Sequence, residues 1–553
     1  MKKRNTIGVM LTDINGSYLT DFWLMMEKAS KEYDCNLFVC DGRSLRYNKD
    51  TDGKHSIVYG FEDKKIIDGL VILSSSVASF IDDLEFDLFL KQFEGIPIVS
   101  VGKVIPSATS ILVDNKEGMK EQIRHLINKH GYRKIAFVKG PKTNLEAIER
   151  YEAYLEVLEE NNIKVDPDII FQGDFIFHTG YEIMKNIIIK NIQYDAIVFS
   201  NDDMALGAKR ALEDFSKTYD FDVSKKGIMC GFDDSINLNF IKPYLTTVRQ
   251  PFEEICTISL KTLLDKINGK ATNKVFKVPS VLVVRESCGC ALDKNPNDIS
   301  ENYLKLVSNI GMDDNIQTYS LEELYDKVTK ISKRCNFNSC FISKYVEGTI
   351  LYKDEYLFDD SYDIPKKSQL LYAFYNGKRA DCIGEDIKYF NTKDIVPDCY
   401  IPDDRRFIYL ITPLFFNREH LGFICVDATN ADAFELELLK VQVSNSLKGA
   451  FVVLERSLAS LEHVIRKISH NLMTPIMSIS GAATALEDLV DEYKDSIGDS
   501  NVTNEDHYEI SSEMKVWIKR IKDFNLRISK IISTAKNQVN PPDSNIGNKF
   551  LEG

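Results

Sequence analysis

Gly131-Tyr132-Arg133-Lys134-Ile135-Ala136-Phe137-Val138-Lys139-Gly140-Pro141 holds an unbroken apolar run between polar and turn-forming residues. A strand that is apolar on both sides of its pleat has both faces covered, which in an open sheet means parallel strands flanked by helices. Runs of the same kind occur outward from it, at 7–11, 36–40, 69–73, 97–101, 195–199 and 228–231, with amphipathic segments between them. Nearly 290 residues of this alternation exceed what one such sheet holds, so two lobes are expected. The fold class is α/β and multidomain, with a bilobed domain over 1–295.

Further strings come after the first in order: Glu149-Arg150-Tyr151-Glu152-Ala153-Tyr154, Ser200-Asn201-Asp202-Asp203-Met204-Ala205-Leu206-Gly207, Gly231-Phe232-Asp233-Asp234 and Leu245-Thr246-Thr247-Val248-Arg249-Gln250-Pro251. Together they resemble the effector-binding core of the lactose-repressor family, which shares its fold with the type I periplasmic sugar-binding proteins. The resemblance implies a ligand held between two lobes at the carboxyl ends of the strands. Carried onto this chain, it makes Arg150 the arginine that forks onto sugar hydroxyls, Asn201 the amide beside it and Asp233 the carboxylate that accepts from hydroxyls. Asp13, in the loop after the first strand, is a further candidate. A guanidinium supplies fixed donors and a carboxylate accepts twice, a combination that suits a vicinal diol. Asn201, Asp202 and Asp234 are equally readable as helix caps that never touch a ligand. Family members carry a DNA-reading helix-turn-helix before this core, whereas only a handful of residues precede the first strand here. The expectation is therefore no DNA partner and an output located downstream.

Residues 310–445 begin with an amphipathic segment, 321–335, and continue into Ser339-Cys340-Phe341-Ile342-Ser343-Lys344-Tyr345, Phe407-Ile408-Tyr409-Leu410-Ile411-Thr412-Pro413-Leu414 and Leu421-Gly422-Phe423-Ile424-Cys425-Val426-Asp427. A helix, antiparallel-looking strands and a closing helix that continues unbroken past residue 445 resemble a GAF-type sensory domain, for which no ligand signature is visible.

From 446 to 540 the apolar positions change period. Leu447, Phe451, Leu454, Leu458, Leu461, Ile465, Ile468 and Leu472 alternate steps of four and three, as a coiled-coil seam requires. With Leu447, Leu454, Leu461 and Ile468 as d positions, His470 falls on the outer face, as does His463. After a polar turn at 495–501, Met514, Trp517, Ile521, Phe524, Ile528, Ile531 and Ala535 repeat the alternation, which predicts an antiparallel helical hairpin that dimerises into a four-helix bundle. Ser469-His470-Asn471-Leu472-Met473-Thr474-Pro475 resembles the phosphoacceptor box of sensor histidine kinases, matching at His470, Thr474 and Pro475. It departs at Asn471, where the family places a carboxylate base; an amide cannot take that proton. No ATP-binding domain is expected after the hairpin, and 541–553 reads as a disordered tail. The region is then either part of a truncated kinase or a signalling scaffold.

The 553 residues are 44% apolar and 27% charged, ordinary globular usage. A formal charge of -14 argues against a general nucleic-acid surface. No signal peptide and no run of roughly 18 apolar residues is present, so a cytoplasmic protein without membrane contact is expected. Eleven cysteines, mostly in core-like segments, fit a reducing compartment. Cys288-Gly289-Cys290 is the one close pair, and the nearest histidines in sequence, His178 and His420, are over a hundred residues away, so neither metal nor cofactor is expected. The resulting expectation is a homodimeric sensor of a sugar-like small molecule, of two-component type, with His470, Asn471 and Thr474 at the output and a response regulator or separate kinase as partner. The alternative is a ligand-controlled interaction scaffold with an inert histidine box.

Overall fold

The computed structural model describes residues 4–14, 17–46, 52–61, 65–216, 227–235, 238, 242–270, 274–291, 318–348, 350–351, 364–380, 385–417, 419–429, 433–499 and 501–539. The expected tail, 541–553, lies outside the described residues. The chain divides into two compact units, Met1–Lys448 and Gly449–Gly553.

The first unit opens with β1 (Thr6–Leu11), β2 (Asn36–Asp41), β3 (Gly69–Leu73), β4 (Ile98–Val101) and β5 (Thr109–Asp114). They pair in parallel in the order β5-β4-β3-β1-β2, and β1, β2 and β3 are buried at every position. The chain then crosses to a second sheet made of β6 (Ile135–Lys139), β7 (Ile170–Gln172), β8 (Ala196–Phe199) and β9 (Met229–Cys230), ordered β7-β6-β8-β9 and parallel throughout. One face of this sheet packs on Met119, Ile123, Leu126, Tyr154 and Val157, the other on Met184, Ile187, Met204, Ala208 and Leu212. Covering both faces explains the continuous apolar runs. Beyond it, β10 (Thr247–Arg249) pairs antiparallel with β12 (Val281–Val283), and β11 (Val275–Pro279) returns to the edge of the first sheet beside β5. The N-terminal half is thus the expected bilobed α/β fold.

The next strands are β13 (Ser339–Tyr345), β14 (Ile350–Leu351), β15 (Lys367–Tyr375), β16 (Lys378–Ala380), β17 (Tyr389–Asn391), β18 (Ile408–Phe416) and β19 (Glu419–Asp427). Their main ladder, β18-β19-β13-β15-β16, is antiparallel. The sequence pattern separates 1–295 and 310–445 into two domains, but β18 pairs in parallel with β2, so both segments share one thirteen-stranded sheet. The reason is apolar area. Phe38 and Cys40 on β2 would otherwise sit on an open edge, and they join Phe341, Phe407, Tyr409, Ile411 and Phe423 in a single core.

The second unit is helical. The helix Ala433–Ser496 carries Pro475 in its interior, and a second helix, Asn504–Val539, comes after the expected turn. Within this unit the intermediate and buried side chains of the first helix include Ile468, Leu472, Pro475, Ile479, Ala482, Leu486 and Leu489, steps of four and three. On the second helix Met514, Trp517, Ile521, Phe524, Ile528 and Ile531 of the stripe read from sequence are partly buried, and the side chain of Ala535 lies outside the described residues. Among the described residues no helix is long and apolar enough to cross a membrane.

Candidate functional site

Five strands of the two lobes end at one cleft. Ser75, Ser76 and Ser79 come after β3, Asn144, Glu146 and Arg150 after β6, Phe175 after β7, Asn201 after β8 and Asp233 after β9; Gln250, just after β10, closes the back. The carboxyl ends of parallel strands are where such sheets expose loops and helix N-termini. The space between these side chains is about 130 Å³, room for one small molecule.

Arg150 stands one turn after Glu146 on the helix Leu145–Glu160 and is only 2% exposed. Its Nη1 donates to the Ser200 carbonyl at 2.7 Å and its Nε to Asn115 Oδ1 at 3.0 Å. The guanidinium carbon lies 3.8 Å from the centre of the Phe232 ring, a stacking contact open to a planar cation. Two carboxylates balance the charge from just beyond hydrogen-bond range, Asp233 at 3.7 Å and Glu146 at 3.9 Å.

Burial pushes the Asp233 carboxyl up to about 7 against the opposing pull of Arg150. Burial likewise raises Glu146, again with Arg150 opposing. Asp233 accepts from Gln250 Nε2 at 2.7 Å, while Gln250 Oε1 is buried without a partner among the described residues. Two cleft residues hold left-handed backbone, Asp233 at φ 126° and Phe175 at φ 70°. Non-glycine residues adopt that region rarely, and such strain concentrates at ligand sites.

The lobes touch across the cleft. Asn144 caps the Leu145–Glu160 helix by accepting from Ala147 N–H at 2.9 Å. Its Nδ2 donates to the Ser75 carbonyl at 2.9 Å and to Ser79 Oγ at 3.2 Å, and Thr143 Oγ1 donates to the Ser79 carbonyl at 2.5 Å.

Arg150, Asn201 and Asp233 therefore line one cleft. Asn201 combines both of its readings, accepting from Met204 N–H as a helix cap and donating from Nδ2 to the Phe175 carbonyl at 2.9 Å. Asp13 is not among the residues lining this cleft and pairs with Arg43 at 2.6 Å. Asp202 and Asp234 are structural. Asp202 is bound by Thr247 Oγ1 at 2.7 Å and Ser235 N–H at 3.0 Å, and Asp234 pairs with Arg249 at 2.6 Å and Arg285 at 2.5 Å. Glu146 and Gln250 escape the sequence reading although both had legible signals: one sits a helical turn before Arg150 and the other ends the Val248-Arg249-Gln250 string. Ser75, Ser79 and Asn144 escape it too, and their residue types carry no signal.

Residues 123–288 match the family model of the periplasmic binding protein-like domain. Among curated proteins, the HTH-type transcriptional regulator RegA of Clostridium saccharobutylicum is 29% identical over 289 residues, 52% of this chain and 82% of the relative. The ribose operon repressor of Halalkalibacterium halodurans is 24% identical over 288 residues, 52% and 80%. Among solved structures, a LacI family transcriptional regulator from Enterococcus faecium with bound ribose matches at a TM-score of 0.42 and 22% identity, covering 51% of this chain and 97% of that one. The matched residues 123–288 include Asn144, Glu146, Arg150, Phe175, Asn201, Asp233 and Gln250 of the cleft but not Ser75, Ser76 and Ser79, and the two curated relatives and the solved structure each match about half of the chain. The relatives are regulators of transcription by name, which sets them against the expectation of an output without DNA.

In the helical unit His470, Asn471 and Thr474 are exposed and Pro475 is buried. The surroundings of the cysteine pair differ from the sequence expectation. His125 and His130, passed over because of their distance in sequence, lie against Cys288 and Cys290 in the fold.

Proposed function

We propose that the periplasmic binding protein-like domain binds a small polyhydroxylated molecule, a sugar or nucleoside, and that the chain is a ligand-responsive regulator. The observation that carries this reading is the buried Arg150 between Asp233 and Glu146 in a cleft with hydroxyl-bearing Ser75 and Ser79 opposite. Arg150, Asp233 and Glu146 make no hydrogen bond to one another, so the donor and acceptor capacity left beside their protein partners is placed to take paired hydroxyls. The naming of one relative as a ribose operon repressor supports the same ligand class.

The signal path runs along the chain. Residues 310–445 act as a GAF-like transmission module on the shared sheet, and 446–540 as a dimerising hairpin of the histidine-kinase phosphoacceptor type, with His470 exposed for phosphoryl transfer from a partner receiver or kinase. We assign this signalling to the cytoplasm. A second reading is favoured by the relatives' names: the chain regulates transcription, and the histidine box is inert.

A thermal-shift screen of the full chain against pentoses, hexoses and nucleosides tests the first step. One class should raise the melting temperature with saturation, as a ligand that binds only the folded state must, and no response from any would remove the sugar reading. Incubation with phosphorylated receivers, followed by assay for acid-labile phosphate on His470, separates phosphotransfer from the second reading, which predicts retention of operator DNA instead.

A further inference from the structure

The Cys288-Gly289-Cys290 turn ends the two-lobed domain. It lies against the last turns of the helix Asn115–His130, which packs on the second lobe. There, His125 Nε2 and His130 Nε2 are 3.3 Å apart, Cys288 Sγ is 3.4 Å and Cys290 Sγ 3.5 Å from His125 Nε2, and Cys290 Sγ is 3.3 Å from His130 Nε2. All four donor atoms lie within 4.8 Å of one another.

For Zn–N of about 2.0–2.1 Å and Zn–S of about 2.3 Å, a tetrahedron has edges of about 3.3 Å between nitrogens, about 3.6 Å between nitrogen and sulfur and about 3.8 Å between sulfurs. The four separations of 3.3, 3.4, 3.5 and 3.3 Å match those edges, and the remaining pairs, within 4.8 Å, need only a small inward shift of the sulfurs to close on one ion, whereas an ordinary packing of two rings and two thiols has no reason to bring all four lone-pair atoms together.

The surroundings hold the donors in place. Gly289 adopts φ +98°, a left-handed turn that brings sulfurs two residues apart to the same side. The His130 ring stacks on Tyr132 with centroids 5.3 Å apart and planes 12° apart, and Tyr132 Oη donates to the Cys288 carbonyl at 3.4 Å. Outer groups that fix ring and loop orientation are typical of metal sites.

We infer that His125, His130, Cys288 and Cys290 bind one zinc ion. Two thiolates neutralise the dication, so the site tolerates its partial burial. Four protein donors leave no open coordination position, which makes the ion structural. It fastens the segment by which the chain leaves the two-lobed domain to the second lobe.

The test uses the full chain, purified without chelator or metal-binding tag. Elemental analysis should give one zinc per chain. After removal of zinc, titration with cobalt(II) should give thiolate-to-metal charge-transfer absorption and the intense visible bands of a tetrahedral ion, saturating at one equivalent. His130→Asn and Cys290→Ser should each weaken retention of zinc against a competing chelator at least tenfold. Because those variants could unfold, the cobalt spectrum of the unaltered chain decides independently. Substoichiometric zinc together with no thiolate band, or a Cys288–Cys290 disulfide found by mass after alkylation of the freshly purified protein, would overturn the assignment.

Discussion

Leu37 of β2 and Ile408 of β18 are register partners in one parallel ladder, so the sheet of the first lobe continues without a break into the strands that come after the two-lobed domain. Aromatic side chains reinforce the junction: Phe38 lies 5.4 Å from Phe407 and 5.8 Å from Tyr409 between ring centres. Movement of the first lobe is thereby a movement of β18.

A shared core melts as one body. Phe38→Ala should cost about 3–5 kcal/mol, the usual penalty for emptying a buried aromatic site. The lobe and the 318–429 strands should lose structure in a single calorimetric transition. Two well-separated transitions in the unaltered Met1–Lys448 unit would contradict the continuous sheet. Hydrogen exchange gives a second check, since a ligand that closes the cleft should also slow the amides of Ile408 to Ile411.

Arg150→Ala should abolish ligand-induced stabilisation, and it should also weaken the fold. On sequence grounds alone such a change would remove donors from an open cleft and spare the core. In the structure Arg150 is buried, stacks on Phe232 and compensates two buried carboxylates. Removing one partner of a buried charge cluster costs about 3–5 kcal/mol. Arg150→Lys keeps the charge and loses the fork, so it should retain most stability and still lose ligand affinity by tenfold or more. Unchanged affinity in the Lys variant, measured by calorimetry, would remove Arg150 from the site.

The lobes, their strands and the stripe of the second helix were legible in the sequence because each is a periodic burial pattern within a few residues of chain. Arg150, Asn201 and Asp233 came from the resemblance to the lactose-repressor family, whose motif strings stand after strands, and the fold brings them to one cleft. Contacts between remote segments were not legible. Nothing in Leu37 or Ile408 announces the other as its partner, and His125 shares no local pattern with Cys288. For Asp13, a loop's position after a strand says nothing about where its side chain finds a counter-charge, here Arg43.

The raised Asp233 carboxyl gives a pH dependence of defined sign. Its proton is held in the folded state up to about 7, whereas the unfolded chain releases it at the ordinary value of about 4. The folded state therefore binds more protons between those values. Stability contributed by this group is full below about pH 4 and is lost as pH rises towards 7. The loss is on the order of 2–4 kcal/mol for the ligand-free protein. Asp233→Asn should reduce this part of the profile without abolishing it, because the buried carboxyls of Asp202 and Glu146 are raised in the same direction. Denaturant titrations at pH 5 and pH 7.5 measure it, and an identical slope in both proteins would contradict the assignment.

Dimerisation should depend on an apolar face that a single copy leaves in water. Leu454 is 39%, Leu458 53% and Ile465 54% exposed, all on the predicted seam. A second copy that pairs along this stretch buries them in coiled-coil fashion. Leu454→Lys with Leu458→Lys should yield monomers by sedimentation at micromolar concentration while far-ultraviolet circular dichroism retains the helices. An unaltered chain that is already monomeric there would leave the hairpin without its proposed assembly.

The histidine box allows a sharper chemical test. His470 and Thr474 are exposed on the helix, and Asn471 beside them supplies no base. Transfer from a phosphorylated receiver needs less help from this chain, since the receiver's own carboxylates and metal activate the phosphoryl group. Slow transfer to His470 is thus expected, absent in His470→Ala and undiminished in His463→Ala, which occupies the equivalent outer position one heptad earlier. Asn471→Glu restores a carboxylate next to the imidazole and should accelerate transfer by tenfold or more if a general base limits the step. Equal rates with Asn and Glu would mean that proton removal is not limiting. Failure of every receiver to label either protein would leave the regulator reading with an inert box as the account of this helix.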